Sequence, residues 1–210
     1  MIKNYFKTAF RNLFRNKVYS FINIMGLSLG LACVMLIMLY VKDEVSYDRF
    51  HRSVSQIYRI GMKRIKPDGS IDGMNGVTGY LQGPRFAAGI PEIKTFLRLQ
   101  SDQRDIKTGS EIKSQEMLAV DSNFFSVFSF PLLSGNPKTA LRYPNSVVIS
   151  ENMAMKQFGT VNAVGKNIMV KDKDDKFVPF TVTAVAKKCP QNSSIKFDVL
   201  VPINISKEVE

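Results

Sequence analysis

The sequence of 210 residues has no tryptophan, a single histidine and only two cysteines. Two cysteines cannot build a disulfide framework. Cys33 lies inside an apolar run, which leaves Cys189 without a partner outside it. One histidine excludes most histidine-based nucleophile activation. His51 also has no Cys, His or carboxylate set at metal-ligand spacing, so it is expected to be a surface or interface residue. Acidic residues are missing altogether before Asp43. The net charge of +11 could suggest a nucleic-acid partner, but no long basic run follows residue 41. Basic residues there number 24 against 18 acids, a balance that argues against nucleic-acid binding.

What the chain does have is one long apolar run, Val18–Val41, with no ionisable side chain in its 24 residues except two tyrosines and Cys33. As a helix it would reach about 36 Å, enough to cross a hydrocarbon layer of about 30 Å with some tilt. A helix is required because lipid offers no partner to free backbone groups. The run is too long for the apolar core of a secretory signal, and no small-residue cleavage site follows it. An uncleaved anchor is therefore expected.

Before this run, Ile2, Tyr5, Phe6, Ala9, Phe10, Leu13 and Phe14 recur at helical spacing. Lys3, Lys7, Arg11, Arg15 and Lys17 occupy the other faces. An aromatic stripe opposite a basic face describes a helix lying in a membrane surface, in contact with lipid. Packing on a soluble partner is the alternative, disfavoured by the closeness of the span. Five Lys/Arg precede the span, and Lys42, Arg49, Arg52 and Arg59 follow it closely, so the positive-inside bias is small. The acid-free tail still favours a cytoplasmic N-terminus.

Three motifs invite chemistry and fail. Gly26-Leu-Ser28-Leu-Gly30 matches G-x-S-x-G, but a nucleophile elbow needs a strand-turn-helix and a reachable histidine. The same residues read as G-x-x-x-G, so Gly26, Ser28 and Gly30 are candidates for close helix packing, with lipid-facing neutrality the alternative. Gly159…Gly165-Lys166-Asn167 has the wrong spacing for a phosphate loop and lacks its Ser/Thr. Asp172, Asp174 and Asp175 lack the glycine and distal glutamate of a calcium loop. No catalytic constellation, cofactor site or metal site emerges.

Further along, the segment after the span is expected to continue as an amphipathic helix near Asp43–Phe50 and to become extended over Gln56–Lys63. Lys66-Pro-Asp-Gly-Ser is a turn, and Pro84–Ala88 a short helix. Ile93–Gln100 and Glu116–Val120 read as strands joined by a polar connection. Asp121-Ser-Asn should cap a short helix that buries Phe124, Phe125 and Phe128. A β-α-β pattern then follows: strand Ser146–Ile149, a helix capped by Ser150 and closed by Gly159, and strands Asn167–Lys171, Phe177–Lys187 and Ile195–Pro202. The expected class is α+β, with an amphipathic helix (1–17), one transmembrane helix (18–41) and a mixed domain carrying β-α-β units (42–210).

In order, FKTAFRNLFRNKVYSFINIMGLSLGLA, DEVSYDRFH…IYRI, PEI…LRL, VDSNFFSVFSFPLLSGNP, VVISENMAMKQFG, AVGKNI and FTVTAVAKKCPQNSSIKFD span nearly the whole chain. This layout resembles the permease subunits of MacB/FtsX-type ABC transporters, the mechanotransmission or type VII class. The resemblance implies an inner-membrane protein with a MacB-like periplasmic core domain after its first span. It also implies a separate cytoplasmic ATPase as partner, a homodimer or paired permease, and an optional periplasmic adaptor. The implied work is efflux of drugs or peptides, or similar periplasmic work driven by ATP in the partner, with no enzymatic activity in this chain. Such subunits have four spans, so the chain is expected to be an N-terminal portion whose core domain is incomplete. The competing expectation is a signal-anchored periplasmic binding or sensor module without transport.

Overall fold

The computed structural model describes residues 2–108, 111–172 and 174–203. They fall into two units, Met1–Tyr47 and Asp48–Glu210.

The first unit is helical. Helix α1 (Ile2–Arg15) and helix α2 (Lys17–Glu44) are separated by Asn16, whose backbone (φ −113°, ψ 59°) leaves the helical region. The amide of Asn16 still donates to the Asn12 carbonyl, and that of Ser20 to the Asn16 carbonyl. Helix α2 holds 28 residues, about 42 Å of rise, and none of them is buried. It starts one residue before the expected span and runs three beyond it, through Lys42, Asp43 and Glu44.

The expected helical continuation to Phe50 is not formed. Asp48 adopts a left-handed φ of 58°, a value no α-helix contains, so the chain turns after Glu44. Beyond a short 3₁₀ turn (Val54–Gln56), strands β1 (Met62–Ile65) and β2 (Ile71–Asn75) form a hairpin across the Lys66–Ser70 turn. Strand β2 was not expected. Helix α3 (Gln82–Gly89) matches the expected short helix closely.

The remaining strands are β3 (Leu99–Thr108), β4 (Glu111–Val120), β5 (Leu132–Gly135), β6 (Ser146–Ser150), β7 (Asn167–Lys171), β8 (Phe177–Ala186) and β9 (Val199–Pro202). Their pairing order is β5-β8-β6-β9-β4-β3-β7, and β7 pairs back onto β8. Six strands thus close into a ring, which leaves few unpaired edges. Pairing is mixed: β6 runs parallel to β8 and β4 parallel to β9, and the other pairs are antiparallel.

Residues 101–114 correct the sequence reading. Residues 101–108 and 111–114 are not a polar connection but parts of strands β3 and β4, which pair at ten positions, and residues 109–110 lie outside the described residues. Polarity concealed it, because its distal arms face solvent and, among the described residues of β3, only Ile106 enters the core. The expected strand at Ile93–Gln100 shrinks to Leu99 and Gln100.

Two hydrophobic clusters hold this unit. One joins Ile106, Met117, Val147, Ile149, Phe180, Val182 and Val199 with Met153 and Ala154 of helix α5 (Glu151–Phe158). Helix α5 forms as its sequence dictates: Ser150 Oγ accepts the Met153 amide at 3.1 Å, and Gly159 closes it at φ 66°. The second cluster is aromatic, with Phe124, Phe128, Phe130 and Phe197 around Val148, Ala184 and Leu200. Phe124 begins helix α4 (Phe124–Val127).

Candidate functional site

In α1, Lys7, Arg11 and Arg15 are exposed, and so are Tyr5, Phe6, Phe10, Leu13 and Phe14; Lys3 lies in the same helix. Lys17 is the first residue of α2. A side chain placed at Gly26 or Gly30 would meet nothing within 4 Å. These two glycines are four apart and stack on one helix face. Ser28 lies two residues from each, about 200° round the helix, so it does not share their face.

The first residues of the second unit are fastened tightly. The Asp48 carboxylate accepts the Ser194 amide at 2.9 Å and also the Ser194 hydroxyl. The Asp48 amide donates to the Asn192 carbonyl at 2.9 Å. Three residues on, His51 is only 4% exposed, which overturns its expected surface position. Its ring is 4.0 Å from that of Phe50, 5.0 Å from Phe128 and 5.2 Å from Phe130. Nδ1 accepts the Ser129 amide at 3.1 Å, and Ser129 Oγ accepts the Arg52 amide at 3.0 Å. An accepting Nδ1 leaves the neutral-ring proton on Nε2, which has no partner among the described residues. Burial pushes the His51 pKa down, and the Asp48 charge offsets this in part. Residues 48–51 are therefore tied to two distant segments of their own unit, around 192–194 and 128–130.

A second fastening holds the stretch before β3. The Asp121 carboxylate accepts Arg98 Nη2 at 2.6 Å, Nε at 3.0 Å and the Arg98 amide at 2.8 Å. The Arg98 guanidinium lies 4.2 Å from the centre of the Tyr80 ring. The Asp121 hydrogen bond holds the Arg98 pKa above its ordinary value. This use of Asp121 corrects its expected role as a helix cap. Only its carbonyl meets α4, accepting the Phe124 amide, and Asn123 at the cap position donates to Thr95 and Phe96.

Residues 20–210 match the family described as MacB-like periplasmic core domain. The chain belongs to that family. No curated protein matches it. Several solved structures are similar, three of them as follows. One, assigned as a domain of a permease protein from Porphyromonas gingivalis, is 26% identical (TM-score 0.46, 59% of this chain, 52% of that one). Another is the periplasmic region of MacB from Actinobacillus actinomycetemcomitans, 15% identical (TM-score 0.44, 60% and 57%). The third is the extracellular domain of the noncanonic ABC-type transporter YknZ from Gram-positive bacteria, 19% identical (TM-score 0.45, 60% and 63%). The chain thus spans 52–63% of the length of these three structures.

Within this MacB-like core, the rejected motifs are structural. The Gly159 amide donates to the Met155 carbonyl and the Gly165 amide to the Val182 carbonyl, so neither is free to cradle a phosphate. Asp172 accepts the amides of Asp174 and Lys176, and Asp175 pairs with Lys171 at 2.8 Å. Among the described residues no three His, Cys, Asp or Glu side chains group as metal ligands. Cys189 is half-buried with its thiol pKa pushed up, chiefly by burial. Sequence reasoning missed both fastenings. Their partners lie 146, 78 and 23 residues apart in the chain, and no local pattern marks them.

Proposed function

We propose that the chain is the anchored N-terminal portion of an ABC transporter permease subunit in the inner membrane. In this reading α1 lies on the cytoplasmic membrane surface, α2 spans, and the MacB-like core is periplasmic. A separate cytoplasmic ATPase supplies the energy, a second permease subunit completes the pair, and a periplasmic adaptor can dock on the core. The work is efflux of drugs or peptides, or similar periplasmic work. The observation that carries the reading is the MacB-like core following directly on one apolar helix of membrane-spanning length, itself preceded by an acid-free basic helix.

The residues have separable roles. Phe6, Phe10 and Phe14 bury in the lipid interface while Lys3, Lys7, Arg11, Arg15 and Lys17 meet anionic headgroups. Gly26 and Gly30 let a neighbouring span approach closely. Displacement of α2 reaches the core through Tyr47–Asp48, where the bonds to Ser194 and the seating of His51 deliver it to two core segments rather than to a loose tether. No group in this scheme breaks or makes a covalent bond, consistent with a subunit that transmits work and leaves ATP hydrolysis to its partner.

Affinity purification of the full-length gene product from its native membrane tests this reading. Co-purification of a nucleotide-binding ATPase in stoichiometric amount is expected. Its absence, together with ligand binding by the chain alone, would favour the anchored sensor. Gly26→Leu and Gly30→Leu are expected to abolish association of the permease pair while membrane insertion is retained. Unchanged association in both would reduce α2 to an anchor.

A further inference from the structure

We infer that the His51 seat is an acid-released catch: protonation of the ring frees residues 49–52 from the 128–130 segment while the neighbouring Asp48 tie holds. Ser129 donates its backbone amide to Nδ1 at 3.1 Å, and a backbone N–H can act in no other way than as a donor. The ring serves as its partner only while that nitrogen keeps a lone pair. An imidazolium carries N–H on both nitrogens, so turning the ring over restores no acceptor. A proton added at Nδ1 faces the Ser129 amide donor to donor. Water cannot easily relieve the clash, because His51 is 4% exposed and lies against Phe50, Phe128 and Phe130.

Ser129 couples a second bond to the first. Its hydroxyl oxygen accepts the Arg52 amide at 3.0 Å, so the residue that holds His51 also holds the next one along. The Asp48 tie is built differently. Its carboxylate receives the amide and hydroxyl of Ser194 and its amide bonds the Asn192 carbonyl, with no imidazole among them. Acid therefore undoes one of the two fastenings of residues 48–52 and leaves the other. Few charges surround the ring. From its own segment Asp48 attracts the imidazolium, while Arg49 and Arg52 are exposed. The residues packed on it from elsewhere, Phe128, Ser129 and Phe130, are not ionisable, and neither is any residue of 190–195. Burial outweighs the Asp48 charge, so the ring is neutral and the catch shut above pH 6.5, and it weakens as pH falls from there. This release is a property of the chain itself and does not depend on the transporter reading.

The test follows amide hydrogen exchange of the whole chain in neutral detergent at about pH 7.5 and about pH 5, corrected for the intrinsic rate at each. Protection at Ser129 and Arg52 is expected to fall several-fold at the lower pH, while Asp48, Ser194 and strand β6 keep theirs. His51→Asn retains an acceptor oxygen near the place of Nδ1 and does not titrate, so its Ser129 protection should be equal at the two pH values. The wild-type imidazole is the only one in the chain and gives a second reading without any substitution. Its magnetic resonance titration should have a midpoint below 6.5, and the Ser129 amide resonance should move with it. Unchanged Ser129 protection in acid would overturn the proposal. So would an equal loss at β6 or at Asp48 and Ser194, an equal loss in His51→Asn, or an imidazole midpoint at or above 6.5.

Discussion

Residues 54–98 and residues 99–203 belong to one unit yet are built on opposite terms. The later stretch closes strands into a ring over two hydrophobic clusters, where Phe124, Val147, Phe180 and Leu200 are almost wholly excluded from water. The earlier stretch exposes Tyr58 at 85% and Met74 at 81%, and none of its described residues is buried. Apolar composition is therefore not what separates them. The core's strands alternate sides of a closed ladder and so share an interior, whereas among the described residues no third strand joins the hairpin and no layer covers either face. Stability is expected to reside in the ring, and adaptability in the arm. The arm's fixed points are the Arg98–Asp121 pair at its end and the His51 seat just before it.

Substitutions in the two regions measure the contrast. Phe124→Ala is expected to cost about 3–5 kcal/mol of unfolding free energy in denaturant titration of the whole chain in detergent. Gly135→Ala should cost about 2–3 kcal/mol. Gly135 has φ 94°, and an added Cβ would come within 2.5 Å of Ala184 Cβ and the Thr183 carbonyl. A loss under about 1 kcal/mol at Phe124 would break the comparison, because the ring would then not be the stable part.

His51→Ala is expected to cost about 2 kcal/mol, since the Ser129 amide loses its acceptor among packed rings. The same residue sets a pH dependence. Its folded pKa lies below the ordinary 6.5, so the unfolded chain binds the extra proton first. Its contribution is complete above pH 6.5 and falls as pH drops from there toward the folded pKa. Wild type should thus lose stability on acidification through this window more steeply than His51→Phe, and equal slopes would exclude His51 as the source. At the small end, Met74→Ser and Tyr58→Ser should each change stability by less than about 0.5 kcal/mol. A larger loss would mean that the arm is covered in the folded chain.

Where signals were local, the sequence was a sound guide. The apolar run predicted α2, Ser150 and Gly159 predicted both ends of α5, and Asp172–Lys176 predicted the turn between β7 and β8. The resemblance carried by the ordered motifs matches the family found over residues 20–210. The β3–β4 hairpin escaped because exposed strand faces carry no apolar alternation. Burial of His51 escaped because it depends on rings brought in from Phe128 and Phe130. Asp121 fits a local cap pattern, but Arg98 offers its carboxylate a stronger charged partner. Asp48, in the left-handed region and bound to Ser194, ended a helix that helical periodicity alone would have prolonged.

A periplasmic role for the core requires that the ring domain and the basic tail lie on opposite sides of a membrane. Cysteine substitution tests this directly, with Cys189 replaced by serine because its own thiol is half-buried. Lys138, exposed in the core domain, and Arg11, exposed in α1, each become cysteine, and cells are treated with a membrane-impermeant maleimide. The Lys138→Cys protein should be labelled in cells with a permeabilised outer membrane, and the Arg11→Cys protein only after the inner membrane is broken. The reverse pattern would contradict the proposed orientation and, with it, a periplasmic role for the core.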